Sequence, residues 1–108
     1  MRMNSTGEVL TVYLQGDIDH HSAKIMREEI DGAIEYNMPS LLIMDFTEVS
    51  FMDSSGIGLV MGRFKLLQKS GAKLNITGLS PTLQRIMKLA GIERLATIDK
   101  GVNKNENK

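Results

Sequence analysis

The sequence predicts one α/β domain whose strands pair mainly in parallel, and three observations carry that prediction. Alternating apolar residues mark a first strand, apolar residues at helical spacing mark the segment after it, and this strand-then-helix order recurs along the chain. Neither an internal repeat nor a Pro/Gly/Ser linker interrupts the order, so residues 1–100 read as one domain. Strands separated by helices need crossovers and hence parallel partners, whereas the N-terminal strand is free to pair antiparallel. At 108 residues the chain can bury roughly 65% of the surface its unfolded form exposes, enough for one core without staples.

Each element has a local reason. Over Glu8–Gln15, Leu10, Val12 and Leu14 alternate with Thr11, Tyr13 and Gln15, the period of a half-buried strand, which Gly16 ends. A helix is expected from about Ser22 to Tyr36, with Met26, Ile30, Ala33 and Ile34 inside and Arg27, Glu28, Asp31 and Glu35 outside. Asn37 and Pro39 close it. The run Leu41-Leu42-Ile43-Met44, ending before Asp45, suits a central strand covered on both faces. A second helix follows Asp53-Ser54-Ser55-Gly56, with Ile57, Val60, Met61, Phe64 and Leu67 at helical spacing and Gly71 as its stop. Lys73–Thr77 forms a short strand broken by Gly78, and Ser80-Pro81 gives a helix start by hydroxyl cap and N1 proline. Leu83, Ile86, Met87 and Ala90 form the buried stripe of that helix, Gly91 stops it, and Leu95–Ile98 is the last strand. Residues 101–108 hold one apolar residue in eight and read as a loose polar tail, unable to offset the entropy of ordering.

Composition excludes several classes. Thirteen basic and thirteen acidic residues leave no excess positive field for direct nucleic-acid or membrane binding. No cysteine is present, so disulfides, thiolate metal sites and cysteine nucleophiles are absent. Met1–Gly7 lacks the apolar run of a secretory signal, and no stretch approaches the ~20 apolar residues of a membrane span, so the expectation is cytoplasmic.

The most unusual segment is Phe51-Met52-Asp53-Ser54-Ser55-Gly56-Ile57-Gly58, with two hydroxyls and two glycines at a loop-to-helix junction. A phosphate on Ser54 would lie near the unsatisfied N–H groups and positive dipole end of the helix. The competing explanation is structural: Asp53 and Ser54 cap the helix while Gly56 permits a tight bend. Gly56-x-Gly58 is not a dinucleotide fingerprint, because Met61 stands where the third glycine belongs and Gly62 comes one residue late. No phosphate-binding P-loop occurs. Gly58 and Gly62, four apart, suggest close packing of an element or a partner. His20-His21 among Asp17, Asp19 and Ser22 lacks the spacing of a metal site and reads as a polar loop that caps a helix, so no metal and no cofactor are expected. A serine hydrolase can be assembled on paper from Ser54 or Ser55, His20 or His21, and Asp17 or Asp53, but the G-x-S-x-G elbow is missing. Met26, Met44, Met52, Met61 and Met87 suit adaptable core filling, and Arg63, Lys65 and Lys69 a solvated helix face.

Ser50 to Arg63, SFMDSSGIGLVMGR, strongly resembles the phosphorylation-site segment of anti-sigma factor antagonists, the bacterial STAS domains. Gly16-Asp17-Ile18-Asp19-His20-His21-Ser22-Ala23 is similar to the sporulation branch, the anti-sigma F factor antagonists, and the likeness extends from about Val9 to Ile98. The resemblance implies a single STAS-like domain: a mixed, mainly parallel sheet of four to five strands with helices mainly on one side. It also implies a non-catalytic partner-switching module. The unphosphorylated form binds an anti-sigma factor that is also a serine kinase and frees the sigma factor. Phosphorylation by that kinase, which holds the ATP, ends binding until a serine phosphatase reverses it. The modified serine carries over to Ser54, which directly follows Asp53 of the same partner-binding surface; Ser55, Gly56, Ile57 and Gly58 carry over as the docking ridge and Asp19 as an acidic position facing the kinase, with His20 and His21 as neighbours, while topology alone places Ser80 nearby, because its loop leaves the same end of the sheet. Two alternatives remain at this point, a STAS scaffold in a stress-signalling or transporter-associated complex and a small serine hydrolase. The family commonly ends in a further apolar helix, which the polar Gly101–Lys108 segment does not match.

Overall fold

A computed structural model describes residues 1–99; the loose tail expected over 101–108, and the missing final helix, lie outside the described residues. The elements are β1 (Arg2–Thr6), β2 (Val9–Ile18), α1 (His20–Asn37), β3 (Leu41–Met52), α2 (Ser54–Gln68), β4 (Lys73–Thr77), α3 (Pro81–Leu89), a 3₁₀ turn (Ile92–Arg94) and β5 (Thr97–Ile98). They build one five-stranded sheet in sequential order, with β1 antiparallel to β2 and every other pair parallel.

The alternation in β2 places Leu10, Val12 and Leu14 on the helix-covered face, level with Leu42 and Met44 of β3 and, one strand on, Leu74 and Ile76 of β4. Against these pack Met26, Ile30 and Ile34 from α1, Leu59, Val60 and Leu67 from α2, and Leu83 and Met87 from α3. The opposite face carries Val9, Thr11, Leu41 and Ile43, which are only half-buried. β3 is thus central, as expected, yet among the described residues helices cover one face only.

Several boundaries differ from expectation. β1 has no sequence signature because all five of its residues are exposed, and it forms by pairing alone, Arg2 opposite Tyr13 through Thr6 opposite Val9. The first patterned strand therefore has an antiparallel neighbour on one side and a parallel one on the other. β2 continues past Gly16 to Ile18, with register shifts on either side of Gln15–Gly16; Gly16 (φ +80°) sits in an irregularity and does not end the strand. β3 likewise runs on to Met52 through Asp45, because Gln15–Ile18 supplies it with a partner there. Leu95 and Ala96 precede the last strand, which is only Thr97–Ile98. Ala90 and Met61 are exposed, not core residues.

Arg63 is the largest departure. It is 5% exposed, where a solvated residue was expected, and its Nε lies 2.7 Å from Asp31 Oδ1 on α1. The N–H is poorly aimed at the carboxylate, so the contact is mainly electrostatic, while Nη1 donates to the Leu59 carbonyl at 3.3 Å. Burial pushes the guanidinium below its ordinary pKa, and Asp31 opposes that shift; the group stays cationic. One charge pair thereby ties α1 to α2 across the helical layer.

Asp31→Ala should cost about 2 kcal/mol in urea unfolding, because it strands a buried cation; the half-exposed carboxylate moderates the loss. Arg63→Met should cost under about 1 kcal/mol, since Asp31 can then be solvated and the methionine fills the site. Equal losses in the two variants would show that Asp31 does not hold Arg63.

Candidate functional site

Two helices begin side by side at the carboxyl ends of β2 and β3, and an aspartate caps each. Asp19 precedes α1 with extended backbone; its Oδ1 accepts from Ser22 N–H at 2.9 Å, and its own N–H donates to Ser22 Oγ at 3.0 Å, a reciprocal capping box. Ser22 Oγ also donates to the Asp17 carbonyl at 2.8 Å. His20 and His21 are therefore the first residues of α1 and not a loop, and the helix starts two residues earlier than expected.

Asp53 caps α2 without a reciprocal box. Its Oδ1 accepts from Ser55 N–H at 2.7 Å, its carbonyl accepts from Gly56 N–H at 3.0 Å, and its N–H donates to the Ile18 carbonyl at 3.1 Å. That last bond fastens the β3–α2 junction to the end of β2, beside Asp19. Ser54 then occupies the first turn of α2, exposed, and its hydroxyl has no partner among the described residues. The cap is thus Asp53 alone. The Ser54 side chain therefore takes no part in the cap, contrary to the expectation that Asp53 and Ser54 share it.

Gly56 is buried, and a Cβ there would overlap Cγ and Sδ of the buried Met52 side chain. Its missing side chain lets the first turn of α2 close onto the end of β3. Gly58 is exposed, and a Cβ there or at Gly62 would meet nothing within 4 Å. Their smallness serves no packing inside the described chain. Ile57 is half-buried against the core, and Phe51, just before the site, is 55% exposed in register with Asp17. Sequence reasoning did not select Phe51 as a site residue; an aromatic side chain exposed beside a loop-to-helix junction was the signal available.

The structure thus brings Asp19, His20, His21, Asp53, Ser54, Ser55, Gly56, Ile57 and Gly58 to one end of the molecule. Among the described residues no hydrogen bond joins Ser80 to them. Its hydroxyl caps α3 by accepting from Leu83 N–H at 3.2 Å. Its loop leaves the same end of the sheet, but Thr77 is in register with Asp45, well before Met52, and Gly78 (φ +76°) abuts Thr47. Among the described residues no hydrogen bond joins His20 or His21 to either serine, so a nucleophile–base pair is not assembled.

Comparison with known proteins completes this description. The STAS domain family model matches residues 1–105. The chain belongs to the STAS-domain family. It is 32% identical over 96 residues to the anti-sigma F factor antagonist of Paenibacillus polymyxa, covering 88% of this chain and 82% of the relative. It is also 32% identical over 89 residues to the anti-sigma-B factor antagonist of Bacillus subtilis, covering 82% of this chain and 80% of the relative. Among solved structures, the anti-sigma factor antagonist SpoIIAA in its unphosphorylated form superposes with a TM-score of 0.79 at 28% identity, covering 92% of this chain and 87% of that one. Its relatives place the chain among the anti-sigma factor antagonists of the STAS family, a family of non-enzymatic regulators. No helix among the described residues is long and apolar enough to cross a membrane.

Gly56→Ala should cost about 1–3 kcal/mol by displacing Met52, whereas Gly58→Ala should leave stability unchanged or raise it by up to ~1 kcal/mol, as read by urea unfolding. Similar effects at both positions would contradict the close approach at Gly56.

Hydrogen bonds from the Ser22 backbone and then the Ser22 side chain hold the Asp19 carboxyl below its ordinary pKa. A depressed folded-state pKa contributes stability above the unfolded value, about pH 4, and that contribution disappears as pH falls through the folded value. Asp19→Asn keeps a capping oxygen that does not titrate, so its urea midpoint should fall less steeply than wild type between about pH 4 and pH 2. Parallel acid limbs would show that the ionised cap contributes nothing.

Proposed function

We propose that this chain is a phosphorylation-controlled anti-anti-sigma factor with Ser54 as its switch. In its unmodified form it binds an anti-sigma factor that is also a serine kinase, and so releases the sigma factor. The observation that carries the proposal is the exposed Ser54 hydroxyl, without a partner among the described residues, on a helix start whose side-chain cap is Asp53. Modification there removes no bond on which the fold depends.

Asp53, Ser55, Gly56, Ile57 and Gly58 form the docking ridge in this proposal, flanked by Asp19, His20 and His21, with Ser80 peripheral. Gly58 fits the role because glycine inside a helix costs about 1 kcal/mol relative to alanine and no packing within the chain offsets it. A surface without a side chain lets a partner backbone approach closely. The partner holds ATP, and this chain needs no cofactor of its own. In the modifying step Ser54 Oγ attacks the γ-phosphorus, the bond from that phosphorus to the β,γ-bridging oxygen breaks, ADP leaves, and a base on the partner takes the hydroxyl proton. A serine phosphatase reverses the modification by hydrolysis. Such a cycle belongs in the cytoplasm, without direct contact to nucleic acid or membrane.

The switch is electrostatic. Phosphoserine carries about −1.5 to −2 charge units, and docking would desolvate it beside Asp53 and Asp19. An uncompensated interfacial charge costs ~2–5 kcal/mol, or roughly 30-fold to several-thousand-fold in affinity. The positive end of α2 moderates the cost within the chain, so the fold persists. In keeping with this, the chain superposes on SpoIIAA in its phosphorylated form, at TM-score 0.72 and 30% identity, as well as on the unphosphorylated form.

The sporulation branch is favoured by the Asp19-His20-His21 segment and by identities of 32–33% to anti-sigma F factor antagonists. The equal 32% identity to an anti-sigma-B factor antagonist supports a second reading, in which the same switch serves a stress-signalling complex.

The decisive experiment mixes the protein with the cognate anti-sigma kinase and ATP. Intact mass should rise by one phosphoryl group, mapped to Ser54, and affinity for the kinase should fall within the stated range. Ser54→Ala should bind persistently, and Ser54→Asp should imitate only part of the loss. Equal binding by the phosphorylated and unmodified forms would defeat the proposal.

A further inference from the structure

α1 turns His20, Lys24 and Arg27 toward one line at helical spacing, and Asp31, next on that line, is engaged by the buried Arg63 of α2. Between the helices lies an open groove of about 310 Å³, lined on the α1 side by His20, Lys24 and Arg27 and on the α2 side by Ser55, Gly58 and Arg63. Among the described residues no carboxylate lines it. Arg27 lies near enough to Arg63 to oppose its charge, while Asp31 neutralises only one of the two guanidiniums. The chain as a whole is neutral, so this local excess of cation is a property of the groove and not of the composition.

Gly58 leaves the α2 wall of the groove bare, with nothing within 4 Å of where its Cβ would be. Ser55 and His20 belong both to the groove and to the surface around Ser54, so a polypeptide covering Ser54 also lies across the groove mouth. We propose that the groove between α1 and α2 seats an acidic segment of the same protein partner that docks at Ser54, with Lys24 and Arg27 as its charge-reading residues. This inference rests on the interaction proposed above and names its chemistry. The partner then meets two signs of charge: Asp17, Asp19 and Asp53 at the helix starts, and a cationic channel one turn further along. Phosphorylation places a dianion at the channel mouth, where it repels the incoming acidic segment as well as the surface facing Ser54.

The test titrates the full-length chain into the cognate anti-sigma factor by calorimetry at low and moderate salt. Four proteins are compared: wild type, Lys24→Glu/Arg27→Glu, the neutral Lys24→Gln/Arg27→Gln, and Arg85→Glu/Lys88→Glu on the remote α3 as a control. Charge reversal should weaken binding on the order of tenfold or more and flatten its salt dependence, neutralisation should do so by a smaller factor, and the control should stay within about twofold. Wild-type affinity and salt dependence in either groove variant, with unchanged melting temperature, would overturn the inference while leaving the Ser54 switch standing. A control as impaired as the groove variants would overturn it too, by showing a response to total charge. Failure of unmodified wild type to bind at all would instead overturn the proposed interaction, and the groove assignment with it.

Discussion

Where β3 hands the chain to α2, Asp53 resolves three demands with one residue. Its N–H reaches back to Ile18, its carboxylate takes the Ser55 N–H, and its carbonyl takes the Gly56 N–H, so the end of one strand, the end of its neighbour and the start of a helix become one unit. Gly56 must lie directly against Met52 for this geometry to close. The cap bonds come from Asp53, so the exposed side chain of Ser54 carries none of them.

The same end of the molecule shows how a fold with no net charge can still present a patterned field. Parallel strands β2 and β3 deliver both helices with their amino termini side by side, so two positive dipole ends converge. Asp19 and Asp53 answer them directly. Beyond the caps, the facing walls of α1 and α2 carry cations, and the buried Arg63–Asp31 pair fixes the spacing of those walls. Loss of that pair would therefore alter the surface as well as the stability, since the groove exists only while α1 and α2 keep their distance.

Much of this was legible in the residues. Alternation in Leu10–Leu14 and helical spacing in Met26–Ile34 are strong signals because each reports a face against one shared core. The Asp53–Gly58 segment stood out because cap, hydroxyl and glycine coincide there. What stayed hidden lacked a burial pattern. β1 is exposed at every residue and exists only through its pairing with β2, which no local periodicity can reveal. The extensions of β2 and β3 beyond Gly16 and Met44 hide for a related reason: each is supported by the other across irregular register. Arg63 was misplaced because a charged residue ordinarily reads as solvated, and its burial depends on a carboxylate thirty-two residues earlier. Ser80 shows the limit of topology: β4 stops opposite Asp45, and departure from the same end of the sheet does not by itself place a loop beside Ser54.

The glycines finally separate what the fold requires from what it merely permits. At Gly78 a positive φ coincides with overlap against Thr47, and at Gly56 a Cβ would invade Met52, so either substitution works against the chain itself. Gly58 and Gly62 lie within α2 with ordinary φ and open space where a side chain would stand. Intrinsic helix preference argues for alanine at both, and no neighbour within the described chain argues back. A local choice that disagrees with the stability of its own element is the kind of inconsistency that function leaves behind. It appears on the turn after Ser54, beside the cationic groove. Gly56 lets this end of the molecule close, and Gly58 and Gly62 leave it uncovered.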